Sequence, residues 1–146
     1  MATKTFDPLA FMRDAAMTDL KHFMGPMQRR VVLDALRGEE GEYFVAKMVE
    51  LAALIAAMPK TYEQDGVADP IVHLHYFIGS MDWWITEKDM GNGDDSEGQI
   101  QAFGAANLGH GWDNSMGYIS IEEITQHGAE LDFHFKPRPL SAVRRA

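Results

Sequence analysis

Asp69-Pro70-Ile71-Val72-His73-Leu74-His75-Tyr76-Phe77-Ile78-Gly79-Ser80-Met81-Asp82-Trp83-Trp84-Ile85-Thr86-Glu87 is where the hydrophobic period of the chain changes. Before Pro70, apolar residues recur at the spacing of a helix. From Ile71 to Ile78 the residues are β-branched and aromatic and alternate as a strand requires. Gly79-Ser80 supplies a tight turn, and Asp82 to Glu87 reads as the return strand of a hairpin.

Upstream, Asp7-Pro8 has the form of a helix start, with Asp as N-cap and Pro in the first turn. Leu9, Met12, Ala16, Leu20 and Phe23 follow at helical spacing. Gly25-Pro26 ends that helix and opens a second, in which Val31, Val32, Ala35 and Leu36 form a short apolar face closed by Gly38. A third helix is expected from about Glu40 to Met58, with Phe44, Val45, Met48, Leu51, Ala52 and Ile55 as its stripe, and Pro59 stops it. Downstream, residues 89–98 read as an acidic, glycine-rich loop. Strands are expected at Gln99–Leu108 and Met116–Ile119. Ser120-Ile121-Glu122-Glu123 has the pattern of a capping box, opening a helix that ends at Gly128. Glu130–Phe135 is expected to close the sheet, and Lys136-Pro137-Arg138-Pro139 to be a poor ladder partner because proline lacks the donor. The expectation is one α+β domain spanning residues 1–146. Its helical part (1–58) packs on one face of an antiparallel sheet of four or five strands (69–136), with one helix before the last strand.

With 46% apolar and 24% charged residues in 146, the composition is that of a chain able to bury a core without staples. There is no cysteine, which excludes disulfides, thiolate metal sites and a cysteine nucleophile. The longest apolar run, Leu51–Met58, falls short of a membrane span. Met1–Pro8 lacks a charged region followed by an apolar one, so the cytoplasm is the expected compartment. The net charge of −9 is unevenly spread. Residues 1–65 hold eight Lys/Arg against ten Asp/Glu, residues 66–132 one Lys against twelve acids, and residues 133–146 four Lys/Arg and no acid. An acidic body opposes a phosphate backbone, so tight duplex nucleic acid binding is not expected. A basic protein is the partner such a surface favours. A homo-oligomer is compatible with the same features.

Several segments from Pro59 onward resemble a domain family of unknown function from bacteria and phages, carried on plasmids, prophages and integrative elements. They are Pro59-Lys60-Thr61-Tyr62-Glu63, Asp69–Phe77, Asp82-Trp83-Trp84-Ile85-Thr86-Glu87-Lys88-Asp89, Gln101-Ala102-Phe103-Gly104, Gly117-Tyr118-Ile119-Ser120 and Leu131–Pro137. The resemblance covers about residues 59–140. It implies a mobile-element protein with an accessory or anti-defence role and a host or element-encoded protein as its partner, and transfers no catalytic residue.

Two groups of residues carry the functional expectations. The first is an acidic, Trp-containing binding surface made by Trp83, Trp84, Asp82, Asp94 and Asp95. Neighbouring tryptophans on a strand point to opposite faces, and one of them is then free to meet a partner. The ordinary alternative is that both are buried. Acids at phosphate-like spacing would make such a surface a DNA mimic. The second group is His73, His75 and Glu87, which share a face if Gly79-Ser80-Met81 forms a three-residue loop. Two imidazoles and one carboxylate are then the ligand set of a divalent-metal enzyme. A two-residue loop instead pairs His75 with Trp84 and removes the convergence. No cofactor is expected outside that alternative. The loop at residues 89–97 lacks EF-hand spacing, and no Walker, Rossmann or Gly-x-Ser-x-Gly motif is present.

Overall fold

A computed structural model describes residues 5–89, 99–109 and 116–144. Helix α1 (Pro8–Leu20) begins as its sequence dictates: Asp7 caps it by accepting from the Leu9 and Ala10 amides. Helix α2 (Pro26–Ala35) follows Gly25, and α3 (Gly41–Ala57) carries the apolar stripe, with Val45, Met48, Leu51, Ala52 and Ile55 buried. The Lys88 ammonium sits on the end of α3, donating to the Ile55 carbonyl at 2.6 Å and to that of Ala56 at 3.3 Å. A cation there offsets the partial negative charge of the helix C-terminus. Burial, and then the neighbouring Lys60, lower the pKa of that ammonium from its usual value.

The strand stretch divides at His73 into β1 (Ile71–Val72) and β2 (Leu74–Ile78). The remaining strands of the main sheet are β3 (Met81–Glu87), β4 (Ala102–Asn107), β5 (Gly117–Ile119) and β6 (Glu130–Leu131), and helix α4 (Ile121–Gln126) precedes β6. The sheet is fully antiparallel in the order β5-β4-β3-β2-β6. This is the expected α+β architecture, with a five-stranded sheet and one helix before its last strand. The capping box also forms: Ser120 accepts from the Glu123 amide at 3.1 Å.

One face of the sheet meets the helices. Leu74, Tyr76, Trp83, Ile85, Ala102, Ile119 and Leu131 share a buried core with Leu20, Phe23, Met48, Leu51 and Ile55. Tyr76 lies in that core fully buried and donates its hydroxyl to the Phe23 carbonyl at 2.5 Å. The bond fastens the α1–α2 junction to the sheet, and burial raises the tyrosine pKa well above its usual value.

The other face is covered too, which differs from the single helical layer expected. Lys136–Pro139 does not simply leave the sheet. Its last two residues form β7 (Arg138–Pro139), antiparallel to β1, and the chain then enters α5 (Leu140–Arg144). Proline is tolerated because the pair is two residues long and lies apart from the main sheet. Leu140 and Val143 bury against Val72 and Ala105, with Trp84 and Phe135 packed alongside. Two glutamine side chains replace missing strands. Gln28 of α2 donates to the Leu131 carbonyl and accepts from its amide, both at 2.8 Å, covering the outer edge of β6. Gln64 bonds both backbone groups of Ile71 and the Thr86 carbonyl. Occupied edges are closed to further pairing.

β3 and β4 approach most closely at Gly104, where an added Cβ would collide with the Trp84 carbonyl oxygen. That atom is backbone and cannot swing aside. Gly104→Ala is therefore expected to destabilise the protein by about 1–3 kcal/mol or more, measured as a fall in the urea midpoint. Gly66→Ala, where no atom lies within 4 Å but φ is +79°, is expected to cost less.

Candidate functional site

The hairpin turn decides where the candidate side chains go. Ile78 pairs with Met81 across Gly79-Ser80, a two-residue turn in which Gly79 takes φ 56°. His75 therefore pairs with Trp84, and the three-residue loop required by the metal hypothesis does not form. His73, His75 and Glu87 are each held elsewhere. The His73 amide donates to the Ile85 carbonyl at 2.9 Å, and burial lowers its imidazole pKa. Glu87 lies beyond a bulge between Ile85 and Glu87, buried, and accepts from the Tyr62 amide at 2.6 Å. Among the described residues, no group of three His, Asp or Glu is placed to hold a metal ion.

His75 is instead the centre of a clamp on the outer face. Its Nε2 lies 2.7 Å from Asp82 and its Nδ1 2.9 Å from Asp132. Its ring stacks on Trp84, with centroids 4.0 Å apart and planes at 12°. Phe135 closes over both rings at 5.8 and 6.0 Å, and Arg138 lies over Phe135 at 5.2 Å. A neutral imidazole has one N–H and cannot donate to two carboxylates. The imidazole thus bridges the two carboxylates, one at each ring nitrogen. The clamp joins β2, β3 and the residue after β6. With both ring nitrogens engaged, neither is presented to a substrate.

Of the expected binding surface, Trp83, Trp84 and Asp82 lie among the described residues. Trp83 is 9% exposed and belongs to the main core, as the alternative reading anticipated. Trp84 lies beneath His75 and Phe135, and Asp82 is bonded to His75. Asp94 and Asp95 lie outside the described residues, as does Glu97. The tryptophan pair thus builds both layers of the fold.

Among the described residues, the most exposed large apolar side chains lie on or just before the first two helices. Met27 is 77% exposed, Val31 66% and Phe11 64%, and Leu9, Met12 and Leu33 are exposed as well. Phe6 packs on Phe11 at 5.8 Å just before α1. On α2, Val32 turns inward, while Met27, Val31 and Asp34 face outward. The signal was present in the sequence: α1 and α2 carry apolar residues on more than the one side a core can cover.

Two outcomes test this geometry. His75→Ala is expected to cost about 2–3 kcal/mol, because it leaves two carboxylates facing one another without their charge-assisted bonds. Asp132→Asn is then expected to cost much less in the His75→Ala background than alone, read as coupling in a double-mutant cycle of urea melts. The second outcome concerns Glu87, whose carboxyl pKa is raised by desolvation and by Asp65 and Glu63, against the lowering effect of the Tyr62 and Gln64 amides. A group that holds its proton more tightly when folded contributes stability below its ordinary pKa and loses it as pH rises through the folded value. Glu87→Gln is therefore expected to gain stability relative to the parent as pH rises above the ordinary carboxylate range, measured by urea unfolding at each pH. No family model, curated protein or solved structure matches the chain.

Proposed function

We propose that this chain is a non-catalytic protein-binding module whose contact surface is the helical face of α1 and α2. The carrying observation is the exposure of Phe11, Met27 and Val31 beside Leu9, Met12 and Leu33. Isolated apolar residues on a surface need no explanation, but a concentration of large ones within two neighbouring helices is characteristic of protein contact sites. The sheet supports the same reading from the other side. The histidine, tryptophan and aspartate that invite a chemical reading are committed to the clamp at His75. An accessory or anti-defence role on a mobile element is the setting that fits a small binding protein of this kind, in line with the resemblance over residues 59–140. The protein contact lies on the helices in this reading, and the acidic Trp-containing strand is a structural element.

The test is affinity capture from a host lysate with the parent protein and with Met27→Glu/Val31→Glu, followed by quantitative mass spectrometry. Both side chains are exposed, so circular dichroism of the variant is expected to be unchanged. A specific protein recovered by the parent is expected to fall by about tenfold or more with the variant. Equal recovery by both would remove α2 from the interface.

A further inference from the structure

We infer that the groove between α1 and α2 takes an acidic amphipathic helix of a partner protein, with arginines of α2 selecting its carboxylates. This deepens the protein-binding reading and rests on it. The groove has a volume of about 410 Å³, with Met17 of α1 and Pro26 and Leu33 of α2 as its apolar floor. Arg29, Arg30 and Arg37 rim it, and Asp34 is the one acid among its lining residues. Pro26, Arg29, Arg30, Leu33 and Asp34 form a single stripe of α2, spaced three and four residues apart, and Arg37 follows just past its end. From Pro26 to Leu33 the stripe runs about 10 Å, the length over which a partner helix presents side chains i, i+3 or i+4, and i+7.

Charge complementarity identifies the occupant. The chain carries a net charge of −9, yet three of its thirteen basic residues gather around this groove. Among the described residues no carboxylate lies within salt-bridge distance of the three guanidinium groups. Arginine is suited to this position because its planar fork meets carboxylates two bonds at a time and is weakly hydrated. A nucleic acid backbone would match the arginines but would leave the apolar floor unused and meet the repulsion of the acidic body. An acidic helix with apolar anchors satisfies both halves of the surface. The arginines contribute attraction and orientation, while the floor and the adjacent Met27 and Val31 contribute buried area.

The experiment uses the full chain as bait for a displayed library of random 16-residue peptides, selected in parallel with Arg29→Glu/Arg30→Glu/Arg37→Glu. The enriched peptides are expected to carry net negative charge with apolar residues at helical spacing. Their affinity is expected to fall roughly tenfold or more against the charge-reversed variant and to weaken as salt is raised. The reversed variant is expected to enrich basic peptides instead. Enrichment of neutral or basic peptides by the parent, lost in Met17→Glu/Leu33→Glu, would overturn the acidic partner and leave protein binding standing. No enrichment, together with no loss in the capture experiment, would remove both. A random DNA duplex bound by the parent and released by the charge-reversed variant, without peptide enrichment, would overturn the inference in favour of phosphate recognition.

Discussion

The pairing of Ile78 with Met81 sorts the side chains of the central hairpin onto their faces. In that register Leu74, Tyr76, Trp83 and Ile85 share the helical core, while His75, Asp82 and Trp84 share the other side. A slip of one residue would exchange the two sets. The helical core would then receive an imidazole and an aspartate, and the outer face would lose its clamp. The register is reinforced from both layers: Tyr76 reaches Phe23 from within the core, and His75 reaches Asp82 and Asp132 from outside it.

The outer layer is small and depends on polar groups being satisfied. Leu140 and Val143 supply modest apolar burial with Val72 and Ala105. The cover is tied down by Ser141, which bonds Asp69 through both its amide and its hydroxyl, and by Phe135 against His75 and Trp84. At the far end of β3, Glu87 holds the Tyr62 amide, and the Tyr62 hydroxyl meets that of Tyr118 on the edge strand at 2.7 Å. Tyr62 has φ 78°, a conformation disfavoured for a side chain of its size. The residues that look most reactive are therefore fastenings between layers.

In the proposed reading, the helical surface is the place for contact with another molecule. α3 buries most of its apolar stripe, whereas α1 and α2 bury few of theirs. The same two helices present arginines on a chain whose net charge is −9. In that proposal, the partner is defined by apolar floor and basic rim together, which neither would do alone.

Periodicity and capping made the helices, the hairpin and the α+β class legible in the sequence, because they are local. Asp7 caps its own helix, Ser120 its own, and alternation from Ile71 onward needs only a neighbouring strand. The turn at Gly79-Ser80 was legible as a turn, but two and three residues are both stereochemically sound there. The length was decided by which set of side chains the helical core accepts. Trp83 and Trp84 were legible as pointing apart, and partial cover for Trp84 required a second layer that Phe135, Leu140 and Val143 supply from far along the chain. Likewise Val31 and Val32 look equivalent in sequence. Only the packing of α2 against the sheet turns one inward and leaves the other in water, because burial depends on contacts between residues distant in sequence.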